Sequence, residues 1–312
     1  MTHIEDVEPP RTEGPRIGIA LGGGAARGWA HIGVLERLEE AGITPSVVTG
    51  TSIGAVVGAA YAAGKLDGLK KFALSLNSRR TLGLLDLNPT GTGLINGRRL
   101  ARLLERDLEG VLTQNLPVTF AAIAAELKTG HEFWLSEGPL VPNVQASYAL
   151  PGIFPPVLMN GRWLIDGAVV NPIPVSTARA KGARVVIAVN LTTDAMGRGA
   201  VIPDGALLNP PRSPVTTARE AGWSIWRLFR QREAERPQAP GIPSVMIDAY
   251  NIIQDRITRA RLAGDPPDAA INPKVGGIGL YEFYRAKEAI ALGRTAVERA
   301  MPRIEEALEL LS

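Results

Sequence analysis

The stretch from residue 45 to residue 64 constrains this chain more than any other segment. A short apolar run, Val47-Val48, leads into Gly50-Thr-Ser-Ile-Gly54, and an alanine- and valine-rich stretch follows at once. The pattern predicts a strand, a tight turn and a helix, with Ser52 at the turn. Glycine suits both flanking positions because the turn brings the two backbones close together. The serine hydroxyl would then lie at a helix N-terminus, where the dipole favours developing negative charge.

The units before and after this turn predict an α/β fold. Residues 16–21 form an apolar run, Gly22–Gly28 a glycine-rich loop, and the residues from Trp29 to about Ala41 a helix that ends at Gly42. Apolar side chains of this helix recur with the 3.6-residue period. Two consecutive units of strand, glycine turn and helix indicate a sheet with helices packed on it.

The glycine loop has two functional interpretations. A dinucleotide fingerprint would need glycine where Ala25 stands, and an acidic residue where the second strand ends in Thr49-Gly50. An oxyanion hole needs only backbone N–H groups converging on one point beside a helix N-terminus. The serine on the next strand favours the oxyanion hole. Arg27 would orient the loop, attract an anionic head group, or lie on the surface.

The remaining chain contains further predicted elements. We expect a helix, loop and helix over 67–110, a hairpin over 117–135 around Thr129-Gly130, and, within 144–156, a short helix that ends at Pro151-Gly152. Asn160-Gly161 is a strong two-residue hairpin signal between runs at 157–159 and 163–165. A long amphipathic helix over 281–310 closes the chain.

The second predicted hairpin leads directly to Asp166, which is a candidate base for Ser52. A Ser–acid–His order is excluded because no histidine follows residue 131. A carboxylate in direct contact with the serine remains, and burial would raise its pKa toward neutrality. The competing interpretation is an ordinary Asp-Gly turn.

Composition limits the other classes of function. The chain has no cysteine, which excludes disulfides and thiolate chemistry, and only three histidines, which argues against a metal site. The formal charge of +3 is compatible with ordinary solvation or with anionic surfaces, and no nucleic-acid motif is present. No apolar run is long enough to span a bilayer. Residues 1–15 lack signal-peptide character and predict a flexible tail, so we expect a cytoplasmic protein, peripheral to the inner face of the membrane.

Three motifs in this order resemble the patatin-like phospholipase family, in particular its bacterial members related to neuropathy target esterase. They are the glycine loop 22–28, the serine turn 50–54, and Asp166-Gly167-Ala168. The resemblance covers about residues 16–192 and resumes at 243–290. One departure is Ala25, where the family usually has glycine; the backbone N–H survives there, but the loop geometry changes.

The resemblance implies a three-layer α/β/α fold with a mainly parallel central sheet and a serine elbow. It implies a lipid acyl hydrolase, a phospholipase, lysophospholipase or esterase, that cleaves carboxylic esters without metal or organic cofactor. Ser52 would be the nucleophile, Asp166 the base, and the amides of Gly23, Gly24 and Ala25 the oxyanion hole. Supporting motif positions are Gly22, Arg27, Gly28, Gly50, Gly54, Gly167 and Ala168.

We predict a single hydrolase domain over 16–312, with an excursion over 195–242. Within it, residues 218–235 place Trp223, Trp226 and Phe229 at three-residue steps among arginines. This composition is typical of an interfacial helix, so the segment would contact a membrane or form a lid. Packing on the domain or on a dimer partner is the alternative.

Two other functions stay open at this point. Acyl transfer by a serine–histidine pair would need His131 near Ser52. A non-catalytic lipid-binding protein would keep the fold without turnover. The sequence makes no prediction of head group, acyl chain length or oligomeric state.

Overall fold

The computed structural model describes residues 16–77, 104–193 and 242–309. The chain divides into two compact units, residues 1–196 with 253–312, and residues 197–252. The predicted tail over 1–15 lies outside the described residues, as does the predicted excursion except for its last residue.

Strands and helices alternate along much of the described chain. The strands are β1 (Ile17–Leu21), β2 (Val47–Thr51), β3 (Thr119–Glu126), β4 (Glu132–Leu135), β5 (Val157–Met159), β6 (Arg162–Asp166), β7 (Val185–Val189) and β8 (Ala269–Ile271). The helices are α1 (Ala30–Glu40), α2 (Ile53–Ala62), α3 (Leu66–Ser75), α4 (Leu140–Ser147), α5 (Val175–Ala180), α6 (Ile242–Gly264) and α7 (Ala286–Glu309). Short 3₁₀ turns at Ala25–Trp29 and Gly167–Val169 follow β1 and β6.

These eight strands of the described residues form one sheet that is mainly parallel. Its hydrogen-bonded order is β5-β6-β3-β2-β1-β7-β8, and β4 also pairs with β3. The neighbouring strands along the path β3-β2-β1-β7-β8 are parallel. The strands β4 and β6 pair antiparallel with β3, and β5 pairs antiparallel with β6. The predicted fold class is confirmed.

Alternation along the strands separates two apolar layers. In β1, Ile19 and Leu21 belong to the large cluster that includes residues of α1, α2 and α7, whereas Ala20 faces a smaller cluster around α5. Successive strand side chains point to opposite faces, so a strand buried on both sides must be apolar throughout. This explains why the predicted buried strands lack an alternating polar pattern.

The pairing of β3 brings the ends of β2 and β6 together. Ala124 pairs with β4 on one edge and with Asp166 of β6 on the other. Ile123 pairs with Thr51 of β2 and likewise with β4. Because β4 occupies one edge at both positions, β2 and β6 share the opposite edge. They approach each other end to end, so the residues after Thr51 lie beside Asp166.

The predicted local elements are mostly confirmed. The β3–β4 hairpin turns at Gly130, and the β5–β6 hairpin turns at Asn160-Gly161, where both residues have positive φ (48° and 76°). The helix predicted from 144 to Pro151-Gly152 was misplaced, since α4 begins four residues before 144, at Leu140, and ends at Ser147. Pro142 is tolerated there because it lies in the first turn, where its missing N–H has no partner to lose. Most of the arginine-bearing predicted helix before residue 104 lies outside the described residues.

Candidate active site

Ser52 occupies a strained backbone position between β2 and α2. Its φ and ψ are 58° and −124°, a backbone conformation that residues other than glycine rarely adopt. A methyl group on Gly50 would lie 2.4 Å from the carbonyl oxygen of Gly54, and one on Gly54 would lie 2.2 Å from that of Leu21. Only glycine fits at either position, so the predicted sharp turn is confirmed. Strain of this kind costs about 1–3 kcal/mol and is concentrated at functional sites.

Hydrogen bonds to neighbouring segments fix this turn. The Ser52 N–H donates to Oγ of the fully buried Ser147, at the end of α4, over 3.0 Å. In β2, Thr51 Oγ1 donates to the carbonyl of Asn171 over 2.8 Å, and Thr49 Oγ1 donates to that of Pro174 over 3.0 Å. The segment after Asp166 is therefore tied directly to the strand that carries the serine. Sequence reasoning assigned no role to these hydroxyl side chains.

Asp166 ends β6 and is 1% exposed. Its Oδ1 accepts a hydrogen bond of 2.9 Å from the N–H of Ala168, and the Ser52 side chain lies close enough to the carboxyl group to lower its pKa. The following Gly167 packs against β3 so closely that a methyl group there would lie 2.3 Å from the carbonyl oxygen of Ile123. The structure thus brings together the two side chains that the sequence singled out.

Burial raises the pKa of Asp166 from 3.8 to about 7, because the charged form loses its hydration there. The hydrogen bonds from Ser52 and from the Ala168 backbone favour the charged form and lower the pKa in part. A carboxyl group with a pKa near neutrality can both accept and return a proton. This property distinguishes Asp166 from an ordinary turn aspartate.

Two amides of the glycine loop have no hydrogen-bond acceptor among the described residues. The Gly22 and Gly23 N–H groups already donate to the carbonyls of Val189 and Pro172, each over 3.1 Å. Over the ranges that the structure describes, no acceptor contacts the N–H of Gly24 or Ala25. Of the three predicted oxyanion donors, Gly23 is therefore engaged elsewhere and two amides remain available. Ala25 adopts a positive φ of 49°, which explains why the family usually has glycine here.

Arg27 holds this loop rather than projecting as a free cation. Its Nε donates to the carbonyl of Ile278 over 2.8 Å, and the neighbouring Ala26 N–H donates to that of Leu280 over 3.1 Å. At Gly28 a methyl group would lie 2.2 Å from the Ile53 side chain, so the loop packs tightly on the serine turn. Of the three predicted roles for Arg27, orientation of the loop agrees with these contacts.

His31 is a structural member of the site that sequence reasoning missed. It is fully buried, and its Nε2–H donates to the carbonyl of Gly22 over 2.8 Å. Burial lowers the pKa of His31 to about 4, so the ring is neutral near pH 7. The available signal was its place in the first turn of α1, one turn after the glycine loop.

His131 does not lie near Ser52. Its side chain is 75% exposed, and Nδ1 lies 3.8 Å from Oε2 of Glu126 in the β3–β4 hairpin. That hairpin uses the edge of β3 opposite to the one shared by β2 and β6. The serine–histidine pair required for the predicted acyl-transfer alternative is therefore absent from the described site.

The chain belongs to the patatin-like phospholipase family, whose model matches residues 19–179. Within that family it is similar to the NTE family proteins. An uncharacterized NTE family protein of Mycobacterium tuberculosis (strain H37Rv) is 33% identical over 93% of this chain and 92% of its own length. Patatin-like phospholipase domain-containing protein 6 of Mus musculus is 34% identical over 57% of this chain and 14% of its own length. The predicted family is thereby confirmed.

Among solved structures, the type III effector protein ExoU matches 96% of this chain and 54% of its own, with 13% identity and a TM-score of 0.42. Human GIVD cytosolic phospholipase A2 matches 95% of this chain and 59% of its own, with 14% identity and a TM-score of 0.43. Within the described ranges, no helix combines the length and apolar character needed to cross a bilayer.

Proposed function

We propose that this protein is a serine-dependent lipid acyl hydrolase that cleaves carboxylic esters through Ser52 and Asp166. One observation carries the proposal: a strained serine lies beside a buried carboxyl group whose pKa is raised by burial to about 7. Membership of the patatin-like phospholipase family supports lipid esters as the substrate class. Neither metal nor organic cofactor is needed for the steps below.

In the first half-reaction, Ser52 Oγ attacks the acyl carbonyl carbon as its proton passes to Asp166. The carbonyl electron pair moves to oxygen, and the resulting oxyanion accepts hydrogen bonds from the amides of Gly24 and Ala25. Collapse of this intermediate breaks the bond to the alcohol oxygen, which takes the proton from Asp166. The products are the alcohol and an acyl ester on Ser52.

In the second half-reaction, water attacks the acyl carbon and gives a proton to Asp166. A second oxyanion forms in the same loop, and its collapse restores the carbonyl and breaks the bond to Ser52. The serine regains the proton from Asp166, and a fatty acid is released. Because one carboxyl group accepts and returns a proton in each half-reaction, a pKa near the working pH suits it to both directions.

Labelling by a fluorophosphonate tests the proposal directly, since the reagent forms a covalent bond to an activated serine. We expect wild-type protein to be labelled and to hydrolyse p-nitrophenyl acyl esters. Ser52→Ala should abolish both, and Asp166→Asn should nearly abolish both.

Matched controls are Ser75→Ala and Asp67→Asn, which alter exposed side chains of α3 and should leave both readouts unchanged. Full labelling of Ser52→Ala would exclude Ser52 as the nucleophile. A folded wild-type protein that neither labels nor hydrolyses any member of a lipid ester panel would instead favour a non-catalytic lipid-binding protein.

A further inference from the structure

Gln254 is a buried polar residue of α6 to which the proposed reaction so far gives no role. It lies in the same compact unit as Ser52 and is 5% exposed. Its side-chain amide forms no hydrogen bond with the residues that the structure describes. An amide that makes no hydrogen bond within these residues is available to donate one to a bound group.

The position of Gln254 relative to the glycine loop indicates which group that could be. A methyl group placed on Gly23 would lie 3.5 Å from Nε2 of Gln254 and 3.6 Å from the Cβ atoms of both Ser52 and Ala168. These groups therefore surround one small volume, beside the serine and the residues that follow Asp166. The free amides of Gly24 and Ala25 belong to the same loop. An oxygen atom placed in this volume would lie next to both Ser52 and Nε2 of Gln254.

We propose that Gln254 is a catalytic residue that donates a third hydrogen bond, from Nε2–H, to the oxyanion of the acyl group. When Ser52 Oγ bonds to the carbonyl carbon, the electron pair that reaches oxygen makes it a stronger acceptor. The amide donates a hydrogen bond but transfers no proton, so the steps given above keep their balance. A donor that strengthens its bond only as charge develops lowers the barrier without tightening substrate binding. This inference rests on the proposed hydrolase function.

The decisive variant is Gln254→Glu, which keeps the shape of the side chain but replaces the N–H donor by an acceptor. Gln254→Leu removes the donor without adding charge. We expect each to lower kcat by about 10- to 100-fold or more, approaching what loss of one oxyanion donor costs in other enzymes. KM should change by less than about threefold, because the bond is made mainly in the transition state.

A transition-state analogue separates this role from a structural one. Trifluoromethyl ketones with an acyl chain form a tetrahedral adduct with serine and place an oxyanion in the hole. Across wild type, Gln254→Glu and Gln254→Leu, we expect the inhibition constant of such a ketone to rise by the same factor by which kcat/KM falls. Thr258→Val removes another buried polar group one turn further along α6 and should leave both quantities unchanged.

The outcomes distinguish the inference from the function on which it rests. If the wild-type protein is active and the folded Gln254 variants keep full kcat and full affinity for the ketone, the role of Gln254 alone is overturned. Wild-type protein without labelling or turnover would overturn the hydrolase proposal, and the oxyanion role with it. Loss of kcat without loss of ketone affinity would assign Gln254 to structure rather than to the oxyanion.

Discussion

Ser52 lies beside Asp166, because β2 and β6 run toward one another along the same edge of β3 and end opposite neighbouring residues of that strand. The turn after β2 then directs the chain into α2, and the 3₁₀ turn after β6 directs it away from the sheet. Both strands end where their side chains meet, so no flexible loop determines the separation of the two functional groups.

The pKa of Asp166 predicts the pH dependence of activity. The proposed base works only when ionised, so protonation below a pKa of about 7 removes it. We expect kcat/KM for a p-nitrophenyl ester to rise between pH 5 and pH 8 and then to level off. A profile that stays flat down to pH 5 would contradict the assignment of Asp166 as the base.

The same pKa predicts how stability changes with pH. The folded state keeps a proton on Asp166 up to about pH 7, whereas the unfolded chain loses it near 3.8. The folded state therefore binds more protons at Asp166 between these values, so the stability that this residue contributes is fully present below about pH 4 and is lost as pH rises through 7. Asp166→Asn should remove this loss and stabilise the protein at pH 8 by up to about 4 kcal/mol.

Urea unfolding at pH 5 and pH 8 measures this effect. The wild-type free energy of unfolding should fall between the two pH values by more than that of Asp166→Asn. The surface variant Asp67→Asn provides the control and should follow the wild type. Equal pH dependence in all three proteins would show that Asp166 has an ordinary pKa.

Substitution by alanine should lower activity at Gly23 but stability at Gly54. A methyl group on Gly23 would contact its neighbours at 3.5 Å or more, so Gly23→Ala should fold normally. The methyl would occupy the volume beside Ser52, however, and we expect kcat/KM to fall by about 100-fold or more, as when an oxyanion donor is lost. Gly54→Ala places its methyl 2.2 Å from a carbonyl oxygen and should destabilise the fold by about 3 kcal/mol.

Urea unfolding and initial rates, measured on both variants, separate the two effects. Destabilisation of Gly23→Ala as large as that of Gly54→Ala would contradict the difference in packing. Full activity of Gly23→Ala would place the acyl oxygen elsewhere.

Ala25 predicts a stabilising change. Its positive φ of 49° causes steric strain in alanine but not in glycine. Ala25→Gly should therefore raise the free energy of unfolding by about 0.5–1 kcal/mol. The backbone N–H of residue 25 is kept, so activity should remain within about twofold, since backbone donors do not depend on the side chain. The control is Ala26→Gly, which changes the next, buried residue at an ordinary φ and should destabilise the protein. Equal losses in both variants would contradict the prediction.

Residues 218–235 lie outside the described residues, so their role as an interfacial segment stays a prediction from the sequence. We propose that this segment binds membrane surfaces through Trp223 and Trp226, because aromatic side chains beside arginines suit the lipid interface. Changing both tryptophans to alanine should reduce co-sedimentation with anionic liposomes while leaving hydrolysis of soluble esters intact. Unchanged co-sedimentation would contradict membrane binding by this segment.

Local signals in the sequence predicted the fold and the two central side chains. The glycines around Ser52 and the Asn160-Gly161 turn depend on backbone sterics that a few neighbouring residues determine, and each was confirmed. The Asp166 position was also predictable, because a hairpin must deliver its end to the sheet that it joins.

Long-range contacts were not predictable from sequence. Nothing near Gly23 indicates that its N–H pairs with the carbonyl of Pro172, since that bond depends on how two distant segments approach each other. The same holds for Gln254, which looks like an ordinary helical glutamine until the packing of α6 places it beside the serine. The start of α4 was misjudged, since the predicted helix began at 144, whereas α4 begins at Leu140 and accepts Pro142 in its first turn.

The shared edge of β3 has a consequence for how the gene can vary. Insertions in the long connection between α3 and β3, or in the turns on either side of β5, would leave the registers of Thr51 and Asp166 on β3 untouched. A single residue added within β3 at Ile123 or Ala124 would separate them by one further strand position, about 3.3 Å, and reverse the faces of the side chains beyond it. Length variation among relatives should therefore be common between these elements and rare within this one strand.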